Sequence, residues 1–116
     1  MNEKDSFEAI VETLNQFRDE RNWRQFHSEK DLAVSISIEA AELLECFQWV
    51  SSQVATAEKR AEIAEELADV LIYAFMLADN MRFDIPSIIR SKIAVNATKY
   101  PVQKAKGTAK KYDQLL

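Results

Sequence analysis

Four carboxylates in two pairs are the residues of this chain best suited to chemistry. Glu39 and Glu42 form one pair and Glu66 and Asp69 the other, and a spacing of three places each pair side by side on one helix face. Burying an unpartnered charge is costly, and no lysine or arginine lies three or four residues from any of these acids. Carboxylate oxygens suit Mg²⁺ or Mn²⁺, and Mg²⁺ is usually shared with substrate phosphates. The pairs therefore predict a metal-dependent enzyme acting on a phosphate ester or anhydride.

The acids fit a solvated helix face or a di-iron centre less well than they fit such a site. A solvated acidic face would be paired with bases one helical turn away, and the sequence has none at that spacing. A di-iron carboxylate bundle would need Glu-x-x-His motifs on two helices, whereas the single histidine, His27, lies outside both acid pairs. His27 itself is expected to cap or pack more often than to take part in catalysis.

The elements that must position these acids are predicted to be helices. One glycine and two prolines are too few for many strands joined by tight turns, so an all-α fold is favoured. Apolar periodicity predicts four helices, at about 6–21, 28–50, 56–80 and from Pro86 to just before Pro101. Ser28 and Thr56 are predicted N-caps, and Pro86 suits a first helical turn. The 116 residues form one predicted domain, 1–116, in which about 101–116 is a basic, loosely structured tail.

Helical geometry predicts which way the acids point. At about 100° per residue, Glu39 falls inside the apolar stripe of the second helix and Glu42 at its edge. Glu66 and Asp69 fall in the same sector as the apolar residues that follow them, so all four acids are expected to face the bundle interior. Residues 70–78 are apolar on every side of the helix, more than a small monomer needs. A homo-oligomer, dimer or tetramer, is therefore predicted.

Aromatic and polar residues near the helix ends are candidates for ligand contact. Trp23 and Trp49 either close the core and pack interfaces, or stack on a nucleobase, where such contacts contribute on the order of 1–3 kcal/mol. Lys92 and Asn96 share one face of the fourth helix, which is either a solvated edge or a source of donors to phosphate and sugar.

Charge and hydropathy limit the partners. A net charge of −4 argues against binding to a nucleic acid polymer. The N-terminus is polar and lacks the apolar region of a signal peptide, and no apolar stretch is long enough to span a membrane. A cytoplasmic location without membrane contact is expected.

The acid pairs and the aromatic stretches around them resemble a known family. Glu39-Ala-Ala-Glu42 followed by Glu66-Leu-Ala-Asp69 is similar to the E-x-x-E…E-x-x-D signature of the MazG-like all-α nucleoside triphosphate pyrophosphohydrolases. Stretches 20–27, 42–49, 66–73 and 91–101 resemble the dCTP pyrophosphatase branch, and the resemblance covers roughly 7–112. One departure is Ala40-Ala41, where relatives often carry a glycine.

The resemblance implies a four-helix-bundle MazG-like fold, assembled as a homotetramer with active sites built across subunits. It implies hydrolysis of a nucleoside triphosphate, dCTP or a related nucleotide, to the monophosphate and pyrophosphate, as house-cleaning of the nucleotide pool. It assigns Mg²⁺, with Mn²⁺ as a substitute, to Glu39, Glu42, Glu66 and Asp69. It assigns the nucleoside pocket to Trp23, Trp49, Tyr73 and Asn96, and the phosphates to Lys92 and Tyr100.

The charges explain why a metal is expected, since four carboxylates would otherwise repel a triphosphate. A carboxylate not saturated by metal could accept the proton of the attacking water; Glu42 is the first candidate and Glu39 the second. Two alternatives stay open. One is a non-enzymatic helical interaction module, suggested by the apolar third helix. The other is the same fold acting on dUTP or a phosphoribosyl intermediate, the latter disfavoured by the tryptophan-rich stretches.

Overall fold

The computed structural model describes residues 6–115, and every regular element in that part of the chain is helical. The α-helices are α1 (Phe7–Glu20), α2 (Glu29–Glu45), α3 (Ser52–Glu58), α4 (Arg60–Asn80), α5 (Ile85–Lys99) and α6 (Val102–Ala105). Two short 3-10 turns lie at Arg24–Phe26 and Tyr112–Gln114. The all-α prediction is confirmed. None of these helices combines the length and hydropathy needed to cross a membrane. The polar N-terminus, 1–5, lies outside the described residues.

The chain divides into two compact units, the first ending at Arg82 and the second beginning at Phe83. In the first unit α4 is the central helix: it packs along α2 and also contacts α1 and α3. Phe7 of α1 meets Phe75 of α4 with 5.7 Å between ring centroids. The buried apolar residues of this unit are Leu32, Cys46, Ala55, Met76 and Ala78. The pairing of α2 with α4 places the two acid pairs on neighbouring helices.

Side-chain caps set where the helices begin. Ser28 caps α2 as predicted, because its hydroxyl accepts from the Asp31 N–H at 3.1 Å. The prediction for Thr56 was wrong. Its hydroxyl donates to the Ser52 carbonyl at 2.9 Å inside α3, and Ser51 is the N-cap, accepting from the Val54 N–H at 3.2 Å.

Two predicted helices are shorter than expected. The third predicted helix is divided into α3 and α4 at Lys59, whose backbone leaves helical geometry with φ −114° and ψ 26°. The second was expected to reach 50 but ends at Glu45, after which the chain turns and Trp49 adopts a left-handed φ of 67°. Neither break carries the glycine or proline that usually marks a helix end.

The second unit begins with α5. Asp84 caps this helix by accepting from the Ser87 N–H at 3.0 Å, Pro86 lies in the first turn and Tyr100 is the C-cap, all as predicted. The basic segment that follows was expected to be loosely structured, but it forms α6 and then the turn at Tyr112–Gln114. The Tyr112 ring meets the Tyr100 ring edge-on at 6.2 Å, and the Lys99 ammonium lies 4.8 Å from its centroid.

Candidate metal and nucleotide site

The α2–α4 pair brings three of the four predicted acids together. Carboxylate oxygens of Glu39, Glu42 and Glu66 lie within 4.8 Å of one another. Glu39 and Glu66 are half-buried, whereas Glu42 is exposed, as its place at the edge of the apolar stripe predicted. Asp69 stands outside this group of three, but its charge helps to raise the pKa of both Glu39 and Glu66. The two pairs that are separate in sequence therefore form one electrostatic cluster.

Burial and mutual repulsion disfavour full ionisation of this cluster. Burial raises the pKa of Glu39 to about 7, and a hydrogen bond with Glu42 and the charges of Glu42, Asp69 and Glu66 act in the same direction. The pKa of Glu66 is also raised, first by burial and then by Glu42 and Asp69. Crowded carboxylates of this kind either hold a proton or neutralise their charge with a cation.

Two oxygens in the cluster lack hydrogen-bond partners in the described part of the chain. They are Oε2 of Glu39 and Oε2 of Glu66, and both are buried. Buried polar atoms in folded proteins are nearly always partnered by protein, water or an ion. Three convergent carboxylates with unpartnered oxygens match the all-oxygen donor set that Mg²⁺ and Mn²⁺ prefer. The cluster could therefore bind a divalent cation.

A row of rings leads away from the acids. Tyr73 lies one turn after Asp69 on α4, and its pKa is raised by burial and then by the charges of Glu39 and Asp69, which places it beside the cluster. The Tyr73 ring meets the His27 ring at 6.4 Å and 85°, and His27 meets Trp23 at 6.4 Å and 73°. The structure thus joins two predicted pocket residues, Tyr73 and Trp23, through a histidine.

The sequence interpretation did not include His27 among the site residues. Burial, followed by the charge of Arg18, lowers the pKa of His27, so the imidazole is neutral at pH 7. A neutral ring serves as a flat, half-buried wall rather than as a fixed cation. The signal in the sequence was its place in the aromatic stretch 20–27, four residues after Trp23.

Trp49 is presented to solvent in an unusual backbone conformation. Its side chain is 91% exposed, and its φ of 67° lies in the left-handed region that bulky residues rarely adopt. Such strain is often found at ligand-contacting positions. An exposed tryptophan held in this way is a candidate for stacking, and its place in the pocket stays a prediction.

The other predicted substrate-binding residues belong to the second unit. Lys92 and Asn96 are exposed on α5, and Tyr100 is its C-cap. Successive spacings of four place all three along one side of the helix axis. Their roles at phosphate and sugar stay predictions.

The helical fold and the acid cluster define a class of protein, and comparison with known proteins identifies it. Residues 34–115 match the MazG-like family, and the chain belongs to this family. It is 40% identical to dCTP pyrophosphatase 1 of Mus musculus over 115 residues, which cover 95% of this chain and 68% of the mouse protein. The Homo sapiens dCTP pyrophosphatase 1 is 38% identical with the same coverage.

A solved structure supports the same assignment. The crystal structure of a pyrophosphatase from Archaeoglobus fulgidus superposes with a TM-score of 0.78 at 44% sequence identity, covering 81% of this chain and 91% of that chain. The resemblance inferred from the acid signature and the aromatic stretches is confirmed.

Proposed function

We propose that this protein hydrolyses dCTP or a related nucleoside triphosphate between the α and β phosphates, releasing the monophosphate and pyrophosphate. The observation that carries the proposal is the convergence of Glu39, Glu42 and Glu66 across α2 and α4. The relatives are dCTP pyrophosphatases, and the predicted enzyme class, a nucleoside triphosphate pyrophosphohydrolase, is confirmed by this similarity. The physiological role proposed is removal of unwanted nucleotides from the pool.

The acids are proposed to hold Mg²⁺, with Mn²⁺ as a substitute. Glu39, Glu42, Glu66 and Asp69 would supply the ligands, and the two unpartnered buried oxygens support this assignment. The bound cation would stabilise negative charge on the phosphoryl oxygens and lower the pKa of water. Glu42, the exposed member of the cluster, is the first candidate to accept a proton from the attacking water, and Glu39 is the second.

The nucleoside is proposed to bind against aromatic side chains. The row from Tyr73 to Trp23 begins beside the acids, so a base lying along it would keep its phosphates near the cluster. Trp49 would supply a further stacking surface, Asn96 would contact the nucleoside, and Lys92 and Tyr100 would approach the phosphates.

Self-association into a homotetramer is part of the proposal. Large apolar side chains are exposed on both helices that carry the acids: Leu67 and Leu71 of α4 are 46% and 48% exposed, and Ile38 and Leu44 of α2 are 53% and 69% exposed. Contiguous apolar surface of this kind marks protein contact sites. A second copy of the chain is the partner proposed, following the oligomeric bundles that the family resemblance implies.

The experiment that tests the function is ³¹P NMR of the purified protein with Mg²⁺ and each deoxynucleoside triphosphate in turn. The expected products are monophosphate and pyrophosphate, and the fastest substrate identifies the base. Glu66→Gln should abolish turnover, whereas Glu58→Gln, at an exposed acid of α3, should not. Diphosphate and orthophosphate as products would assign another reaction. Absence of turnover with the whole panel would favour a modified nucleotide or a binding module.

A further inference from the structure

A buried arginine links α1 to the C-terminal end of α4. Arg18 is 0% exposed. Its Nε donates to Asn15 Oδ1 at 3.0 Å, and its Nη2 donates to Asn80 Oδ1 at 2.9 Å and to Asp79 Oδ2 at 3.3 Å. Asn15 Nδ2 donates to the same Asp79 oxygen at 2.9 Å. The interior between these helices is therefore a polar network rather than an apolar contact.

This network continues into the loop that carries the aromatic row. Asn80 accepts from Arg18 with its amide oxygen, and its Nδ2 donates to the His27 carbonyl at 2.8 Å. The Arg18 carbonyl accepts from the Trp23 N–H at 2.8 Å. Arg18 is thus tied to Trp23 directly, through its own backbone, and to His27 through the Asn80 side chain.

The end of α1 explains the first of these bonds. Asn22 adopts a left-handed φ of 54°, and its N–H donates to the Asp19 carbonyl at 3.1 Å. Together with the Trp23–Arg18 bond this forms a Schellman motif, in which asparagine takes the place usually held by glycine. The motif fixes the direction in which the chain leaves α1 and hence the position of the Trp23 backbone.

We propose that Arg18, acting through Asn80, is a positioning residue that holds Trp23 and His27 in place as one wall of the nucleotide pocket. The inference rests on the proposed function and assigns to that pocket two residues that do not themselves touch the nucleotide. The loop between α1 and α2 contains one short 3-10 turn, at Arg24–Phe26, so its form depends on bonds to neighbouring helices.

The choice of a polar network favours a positioning role over a purely stabilising one. A buried charged network is seldom more stable than apolar side chains of similar volume. When satisfied, it specifies one geometry. Here that geometry sets the ring contact between Trp23 and His27 at 6.4 Å, and between His27 and Tyr73 beside the acids. Disturbing the network should therefore weaken nucleotide binding more than it slows the chemical step.

Asn80→Asp tests this with little change in shape. The aspartate keeps the oxygen that accepts from Arg18 but loses the N–H that donates to the His27 carbonyl. KM for the fastest triphosphate should rise about tenfold, the scale expected from one lost buried hydrogen bond, while kcat changes less than about threefold. The matched control is Gln25→Glu, which removes an exposed amide-to-carbonyl bond of the same loop, from Gln25 Nε2 to the Asn22 carbonyl at 2.9 Å. Its KM should not change.

A spectroscopic measurement separates positioning from stability. The chain has two tryptophans, so a Trp49→Phe background leaves Trp23 as the only indole emitter. In this background and without nucleotide, Asn80→Asp should shift the emission of Trp23 and change its quenching, and Gln25→Glu should not.

Several results would overturn the inference. Wild-type KM and wild-type emission in Asn80→Asp, with or without a lower melting temperature, would make the network purely structural. Shifted emission with an unchanged KM would show that the wall is held but not used for binding. If the unaltered protein hydrolyses no triphosphate, the proposed function fails, and the emission of Trp23 alone then decides whether the network holds that residue.

Discussion

Glu39 of α2 and Glu66 of α4 bring carboxylate oxygens within 4.8 Å of each other, and each keeps a buried Oε2 that has no partner within residues 6–115. Two like charges at this distance oppose the packing of the helices that carry them. The arrangement is therefore expected to cost stability without a cation and to recover that stability when one binds. Stability measurements can test the site independently of catalysis.

Divalent cations should raise the melting temperature of the protein. A ligand that binds only the folded state at 100 times its Kd adds about 2.7 kcal/mol of stability. Differential scanning calorimetry with Mg²⁺ or Mn²⁺, against NaCl of equal ionic strength, measures the effect. Glu66→Gln should lose most of the shift, whereas Glu58→Gln should keep it. An equal shift in Glu66→Gln would place the cation elsewhere.

The metal-free protein should lose stability as the pH rises through neutrality. The pKa of Glu39 is raised from 4.5 to about 7 in the folded state, and that of Glu66 is raised as well. The folded state then binds more protons than the unfolded state, so this contribution is complete below pH about 4.5 and lost through pH about 7. Urea unfolding between pH 5 and 8 in the presence of EDTA should show the decline.

Glu39→Gln is the control for that pH dependence. Glutamine carries no titrating proton, so the decline between pH 5 and 8 should become shallower, and the metal-free variant should exceed the wild type in stability at pH 8. If the variant kept the full decline, the pH dependence would have to come from groups outside the cluster.

The parts of this structure that the sequence predicts are local. The spacing of the acids fixes a helix face, and the caps at Ser28 and at the start of α5 depend on residues within one turn. The helix breaks were harder to predict, because Lys59 and Trp49 occupy positions where glycine or proline would have marked the end.

The Arg18 network was not predictable by the same means. Its bonds join residues more than sixty positions apart, with sequence separations of 61 to Asp79 and 62 to Asn80. Each of these residues taken alone resembles an ordinary surface residue of an amphipathic helix. Only the packing of α1 against the end of α4 brings them together and buries the guanidinium, so the partners of this charge emerge from the tertiary structure.

Substitutions at Trp49 should separate stability from binding. A left-handed conformation costs an L-residue roughly 1–2 kcal/mol, and glycine avoids this cost. Trp49→Gly should therefore be more stable than Trp49→Ala by about 1 kcal/mol in urea unfolding. Both should raise KM more than they lower kcat, because both remove the exposed ring. An unchanged KM in both variants would leave Trp49 as a residue without a role in binding.

Charge placed on the exposed apolar face of α4 should dissociate the proposed oligomer. Leu71 is 48% exposed, and Leu71→Glu would bring one carboxylate per subunit into the subunit contact, where an unpaired charge is costly to bury. Light scattering after size-exclusion chromatography should show a smaller species than the wild type, while Gln25→Glu, which adds the same charge to an exposed loop, should keep the wild-type mass. If Leu71→Glu retained that mass, the subunit contact would have to lie on another surface. Loss of turnover together with loss of mass would further indicate that the active site needs more than one copy of the chain.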